Sequence, residues 1–334
     1  MSFIRRIPSL IKKAFANAAA VHRKTGKPAF FILCDMALCI PVYGIAPDQY
    51  RHFGFEGLKP AQRRGHMSMY HQARLKRNVN SIYHKQFFTN KFYFSRIFAD
   101  HFGRVCFRSK SITEAQLGEL GEKFVYKPLA GEAGDGVLVL RKADFDCAVH
   151  AVQRLRSMQA GVVEPFIAQH EALAAYYPKA INPVRVATVF SGGVCHFLYG
   201  TLTLGVGEEF ANASKDALFA LIDVETGMVI TDGVDYEHNT YKTHPVSGLP
   251  IKGFALPMWS EVRAMLEDSA ALVPEMGYIS WDIALTPERP VLIEGNTSGG
   301  YTGYQFYEFA EQGVDTETAK FIAPFIKKGG QHGC

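Results

Sequence analysis

Residues 291–300 read "VLIEGNTSGG", a run that joins two features which ordinarily conflict. Val291, Leu292 and Ile293 have the character of a buried strand, yet Glu294 and Asn296 follow at once. A carboxylate in a core is costly unless a counter-charge meets it. Strand positions two apart share a face, so Glu294 and Asn296 point the same way. A preceding strand, "YISWDIALT" at 278–286, carries Asp282 and is joined to the first by "PERP". So short a connection predicts antiparallel neighbours, with Asp282 opposite or beside Glu294 and Asn296. Three oxygen donors at one end of a sheet select hard cations, Mg²⁺ or Mn²⁺. Capping of a loop by Glu294, through backbone N–H groups, is the other reading.

Two further stretches could handle a nucleotide. "VYKPLAGEAGDGVLVL" puts Lys127 on a strand, then Gly131, Gly134 and Gly136 in a loop, then a second strand. Glycines let backbone N–H groups close on phosphate oxygens, and a lysine adds a point charge. GxxxxGK[ST] is absent, and an ordinary flexible turn fits equally well. "VVEPFIAQHEAL" runs an apolar strand into Glu164 and Pro165, then a polar segment able to offer N–H and C=O to a purine edge. Pro165 could equally just end the strand.

The elements that must position these residues change character along the chain. Residues 1–88 read as helical, and "MSFIRRIPSLIKKAFANAAAVHRK" is basic and amphipathic. Peripheral membrane contact and packing on the domain are the two readings of that helix. "AFFILCDMALCIPVYG" is the most apolar stretch; it is short for a span and reads as a buried helix. "NKFYFSRIFADHF" reads as a helix capped by Asn90. From residue 123 short apolar runs bounded by turn residues dominate, from "KFVYKPL" to "ALFALIDV" and "GMVI", with an amphipathic helix at 257–276. The class is α+β: a helical N-terminal region at 1–88, then a domain at 89–330.

Composition bounds the function. Of 334 residues 48% are hydrophobic and 20% charged, and the net charge of +4 is far from a nucleic-acid binder's footprint. Six cysteines without CxxC spacing, and twelve histidines without HExxH, offer no structural zinc motif and suit a reducing, cytoplasmic setting.

The order of Lys91, Lys127 with its glycines, Glu164, Arg185, Asp282, Glu294 and Asn296 resembles the ATP-grasp superfamily. It is most similar to the sugar-transfer-associated ATP-grasp proteins, with kinship to glutamate-ligase-like members. "SWDIALT" and "VLIEGN" are the most specific motifs. The likeness covers 89–312 well and 30–88 loosely. It implies two α+β subdomains clasping ATP, at about 89–168 and 169–330. It implies that Lys91 and Lys127 bind phosphates under the glycine loop, and that Glu164, Pro165, Phe166 and Ile167 form the adenine hinge with Glu171 on the ribose. Asp282, Glu294 and Asn296 would hold two Mg²⁺ ions, with Mn²⁺ as a substitute. Arg185 would stabilise the transferred phosphoryl group; a salt bridge to a buried carboxylate is its structural alternative. The implied activity is ATP-dependent carboxylate–amine ligation in surface-polysaccharide or sugar-conjugate synthesis, joining a sugar acid to an amino acid. A small-molecule kinase and a non-catalytic nucleotide-binding component are the alternatives. Asp135 stands where a basic residue is common, and the helical start is unlike the Rossmann-like first domain of many relatives. Gln169, His170, Asn182, His244 and Gln305 are either pocket residues or satisfied structural groups.

Overall fold

The computed structural model describes residues 3–129, 136–207 and 217–326. The chain divides into two compact units, Met1–Asn78 with Gly300–Cys334, and Val79–Gly299. The first begins with α1 (Phe3–Thr25), α2 (Ala29–Tyr43), α3 (Pro47–His52), α4 (Pro60–Gly65) and α5 (Met69–Val79). Gly44 ends α2 in the left-handed region, its N–H reaching the carbonyls of Cys39 and Ile40. Helices α1 and α3 pack against α2 and bury Ile32, Met36 and Cys39. The rest of α2 is not covered: Phe30, Phe31, Leu38, Ile40 and Val42 are exposed. This corrects the expectation of a buried helix. Composition signals a demand for apolar cover, and the neighbours supply it on one side only.

The second unit opens with α6 (Gln86–Thr89), α7 (Lys91–Ile97) and α8 (Ala99–Phe102). Asn90 caps α7 as expected, accepting from the N–H groups of Phe92 and Tyr93 at 3.0 and 3.3 Å. The expected single helix is broken at Phe98, which leaves the helical region with ψ at 31°. Strands β1 (Phe107–Arg108), β2 (Lys123–Pro128), β3 (Leu138–Arg141) and β4 (Gly161–Pro165) form an antiparallel sheet in the order β1–β4–β2–β3. On one face, α9 (Glu114–Gly118) and α10 (Ala148–Ser157) pack Leu117, Ala151 and Leu155 against Phe124, Tyr126 and Val163.

The larger antiparallel sheet contains β5 (Val184–Ser191), β6 (Val194–Gly205), β7 (Ala217–Ile222), β8 (Gly233–Val234), β9 (Thr240–Tyr241), β10 (Tyr278–Leu285) and β11 (Pro290–Asn296). Its order is β11–β10–β5–β6–β7–β8–β9. The short helix α11 (Glu171–Ala174) precedes it, and α12 (Trp259–Leu272) lies between β9 and β10. Val262, Met265 and Leu266 of α12 join Phe88, Phe94 and Phe98 in one core with Val186, Trp281 and Ile283. That core covers one face of the sheet. Strand alternation turns Arg185 and Asp282 to the other.

"GMVI" is not a strand; it contributes isolated bridges, Val229 to Ile222 and Met228 to Ala255. Before it, Gly227 closes a turn at φ 74°, donating its N–H to the Asp223 carbonyl at 2.8 Å. A Cβ there would lie 2.3 Å from the Trp259 ring. Gly227→Ala should lower the unfolding free energy by about 2–4 kcal/mol, from left-handed backbone strain and an overpacked ring together. Urea unfolding measures it, and a loss below about 0.5 kcal/mol would mean that the ring moves aside freely.

After β11 the chain returns to the first unit with α13 (Tyr307–Glu311) and α14 (Ala319–Ile326). The expectation carried the second region to residue 330. The reason for the difference is local. Buried Gln305 accepts from the Met67 N–H at 2.7 Å and from the Thr318 hydroxyl at 2.7 Å, and donates to the Met67 carbonyl at 3.2 Å. Phe306 stacks on His52 with ring centres 4.9 Å apart.

Candidate functional site

Strand register builds the first half of the site. Asp282 sits opposite Glu294 on β11 and opposite Arg185 on β5, while Ser280 faces Asn296. The short connection thus sets Asp282 and Glu294 side by side, as the sequence indicates. Pairing then shifts, because Ile283 partners Leu292 and Ile293 is the extra residue of a β-bulge. Bulges re-aim side chains; here both Ile293 and Glu294 line one cleft. Gly295 is needed between the two site residues: a Cβ would lie 2.8 Å from the Phe88 ring and 3.1 Å from that of Phe94.

Arg185 grips Asp282 with two hydrogen bonds, Nε to Oδ1 at 2.6 Å and Nη2 to Oδ2 at 2.8 Å. The guanidinium's pKa is raised, chiefly by the Asp282 charge, with burial opposing. Of its two expected roles, the salt bridge is the one realised in this geometry. Asn296 Nδ2 donates to Asp282 Oδ2 at 3.3 Å and to Glu294 Oε1 at 3.2 Å. A partial positive charge therefore already sits between the two carboxylates. Rotating the amide would turn its oxygen toward the same point and complete a three-oxygen donor set. Among the described residues no three His, Cys, Asp or Glu side chains converge as metal ligands; the set here is two carboxylates and an amide. Its chemistry fits a hard cation.

The second half comes from the smaller sheet. Val125 pairs with Glu164, and Lys127 with Val162. Lys127 and Glu164 are therefore diagonal neighbours, on the face away from α9 and α10. Glu164 is 3% exposed. Lys127 Nζ pairs with its Oε1, and Arg104 Nη2 holds Oε2 at 3.1 Å. Burial alone would raise the Glu164 pKa, but the two cations outweigh it and hold the carboxyl below its usual range. Arg104 was not a sequence candidate. Its Nη1 also donates to the carbonyls of Phe102 and Leu292, at 2.8 and 2.9 Å. It therefore ties β4 of one sheet to β11 of the other.

Lys91, the first residue of α7, shares the cleft with Lys127, Glu164 and Glu294. Gly131 and Gly134, with the acidic Glu132 and Asp135, lie outside the described residues. Gly136 has φ 73° at the return of the loop. In the hinge segment, β4 ends at Pro165, and the Phe166 N–H is taken by the Lys123 carbonyl at 3.1 Å. Glu171, at the first position of α11, is exposed.

The remaining candidates are structural. Gln169 Nε2 donates to the carbonyls of Tyr177 and Ala180, and its oxygen accepts from Asn182. Asn182 also donates to the Leu173 carbonyl and accepts from the Gly205 N–H. His170 Nδ1 accepts from the Ala172 N–H at the start of α11. Buried His244 bonds the Gly205 carbonyl at 2.9 Å, and desolvation lowers its pKa.

Two antiparallel sheets, one carrying Lys127 and the other a carboxylate–amide set, with Lys91 of α7 in the same cleft, have the arrangement of an ATP-grasp protein. The chain belongs to the sugar-transfer associated ATP-grasp family, whose sequence model matches residues 70–314. The resemblance read from the motifs is thereby borne out. A search of curated proteins finds no match. Among solved structures, it is similar to the ATP-grasp ligase PsnB complexed with minimal precursor, Mg and ADP: 16% identity, 75% of this chain and 62% of that one covered, TM-score 0.42. It is also similar to D-alanine–D-alanine ligase from Bacillus anthracis complexed with ATP: 14% identity, 71% and 65% covered, TM-score 0.41. An L-amino acid ligase from Bacillus licheniformis gives 15% identity, 71% and 48% covered, and TM-score 0.43. The chain spans less than two thirds of each.

Proposed function

We propose that this chain is an ATP-dependent carboxylate–amine ligase. The observation that supports it most is the single cleft shared by Lys91, Lys127 and Glu294, with Asp282 and Asn296 adjoining Glu294. Phosphoryl transfer needs positioning and charge stabilisation more than a nucleophilic side chain, and this site is built of charges. Lys91 and Lys127 bind the phosphates. Glu164 orients Lys127 through their ion pair. Asp282, Glu294 and Asn296 would hold Mg²⁺, which supplies charge neutralisation at the transferred group. Arg185 orients Asp282. Transfer of the terminal phosphoryl group of ATP to a substrate carboxylate gives an acyl phosphate and ADP, and attack by an amine gives the amide, inorganic phosphate and a proton. Family membership favours a sugar-conjugate setting, with a sugar acid and an amino acid as the substrate pair.

ADP release across a matrix of carboxylates and amines, with products read by mass spectrometry, tests the proposal. An amide supports it; a phosphorylated hydroxyl would make the chain a kinase, and no turnover a nucleotide-binding component. The phosphate assignment has its own check. Lys127→Met should weaken ATP binding by calorimetry about tenfold, the scale of one lost hydrogen bond to a charged group. An unchanged dissociation constant would move the phosphates elsewhere.

A further inference from the structure

Helix α2 presents a face that no residue of the described chain covers. Phe30, Phe31 and Leu38 are 69, 66 and 62% exposed. With Cys34, Pro41 and Val42, also exposed, they fall on one side at helical spacing. No polar side chain interrupts that stripe. The helix has a single charge, Asp35, which flanks the stripe with its side chain 33% exposed. Its carboxylate takes Arg63 Nη1 and Nη2 at 2.8 and 2.6 Å and the Tyr50 hydroxyl at 2.7 Å. Those bonds partner the one charged side chain of the helix.

The sequence of α1 and α2 is basic. Between Phe3 and Tyr43, Asp35 is the only acidic residue, whereas Lys12, Lys13, Arg23 and Lys24 are among the cations. Lys12 and Lys13 are exposed on α1, next to exposed Ile11 and Phe15. At the other end of α2, half-exposed Tyr70 lies against Gly44 and donates its hydroxyl to the Ile40 carbonyl at 3.1 Å. An aromatic with one apolar and one wet side suits a water–lipid boundary. Among the described residues no helix is long and apolar enough to cross a membrane, and at 15 residues α2 falls short of a bilayer core.

We propose that α2 and the adjoining half of α1 dock on an anionic lipid surface, α2 embedding its apolar stripe and the lysines meeting headgroups. The excess of positive charge on α1 and α2, with Lys12 and Lys13 exposed, selects this occupant over a second copy of the chain, which would carry the same charges. An apolar helix face requires cover; the fold covers the side of Ile32, Met36 and Cys39, and the membrane covers the stripe. The stripe uses none of the residues that line the nucleotide cleft, so the proposal holds whatever reaction the cleft performs.

Vesicle co-sedimentation of the full chain decides it, comparing phosphatidylcholine vesicles with ones holding about 30% phosphatidylglycerol. Binding to the anionic vesicles is expected, weakened by high salt. Leu38→Glu should lower the partition coefficient about tenfold or more, and so should Lys12→Glu with Lys13→Glu. Both substitutions are at exposed positions, and unchanged thermal unfolding confirms that each variant is folded. Absence of sedimentation, equal sedimentation of the variants, or a soluble dimer that Leu38→Glu dissociates without any lipid binding would overturn the proposal.

Discussion

Glu294→Gln should lower Mg²⁺-dependent ADP formation about a hundredfold or more, the scale on which one preorganised charge-stabilising group acts. Its effect on folding should be small. Glutamine has the same shape and keeps an oxygen for Asn296 Nδ2, which donates to Glu294 at 3.2 Å. What disappears is one negative charge beside Asp282. Asp282→Asn is a poorer test, because it also removes the partner of Arg185, and an unpaired, largely buried guanidinium would lower stability by itself. ADP release at saturating Mg²⁺, read beside the urea midpoint, separates the two effects. Parent-like ADP formation in Glu294→Gln would remove the residue from the reaction and leave the loop-capping reading.

The pairing of Asp282 with Glu294 was legible because a short connection fixes register over the first few pairs. The bulge at Ile293 was not, since it depends on how β11 meets β10 and carries no residue signature. Arg104 was invisible for a different reason. Its partners stand 60 and 188 residues away, and nothing in "DHFGRVC" distinguishes it from a surface arginine. Gln169 and Asn182 could be read either as pocket residues or as structural groups, because a buried amide and a ligand-binding amide have the same chemistry. Only the carbonyls of Leu173, Tyr177 and Ala180 show which they are. For α2 the composition correctly signalled a demand for apolar cover. It could not say whether the fold would supply that cover.

Arg104→Met should lower stability by about 3–5 kcal/mol near neutral pH, the usual result of removing one partner from a buried ionic cluster. Glu164 is buried between Arg104 and Lys127, and its oxygen Oε2 would keep no cation. Methionine retains much of the volume, so the loss reports charge and hydrogen bonding more than a cavity. The two carbonyls served by Arg104, on Phe102 and Leu292, would lose their donor as well. The pH dependence follows from the direction of the Glu164 shift. Its folded pKa is depressed, so its stabilising contribution is complete above the unfolded carboxyl value of about 4.3 and is lost as pH falls through the folded one. In the variant one cation is gone, burial weighs more, and the folded pKa rises. The gap between parent and variant should therefore be widest near pH 7 and narrow as pH falls toward about 4, where the variant's carboxyl takes up its proton first. Urea unfolding of both proteins across that range measures the gap. A gap that stays constant with pH would assign the whole loss to the Phe102 and Leu292 carbonyls and none to the charge on Glu164.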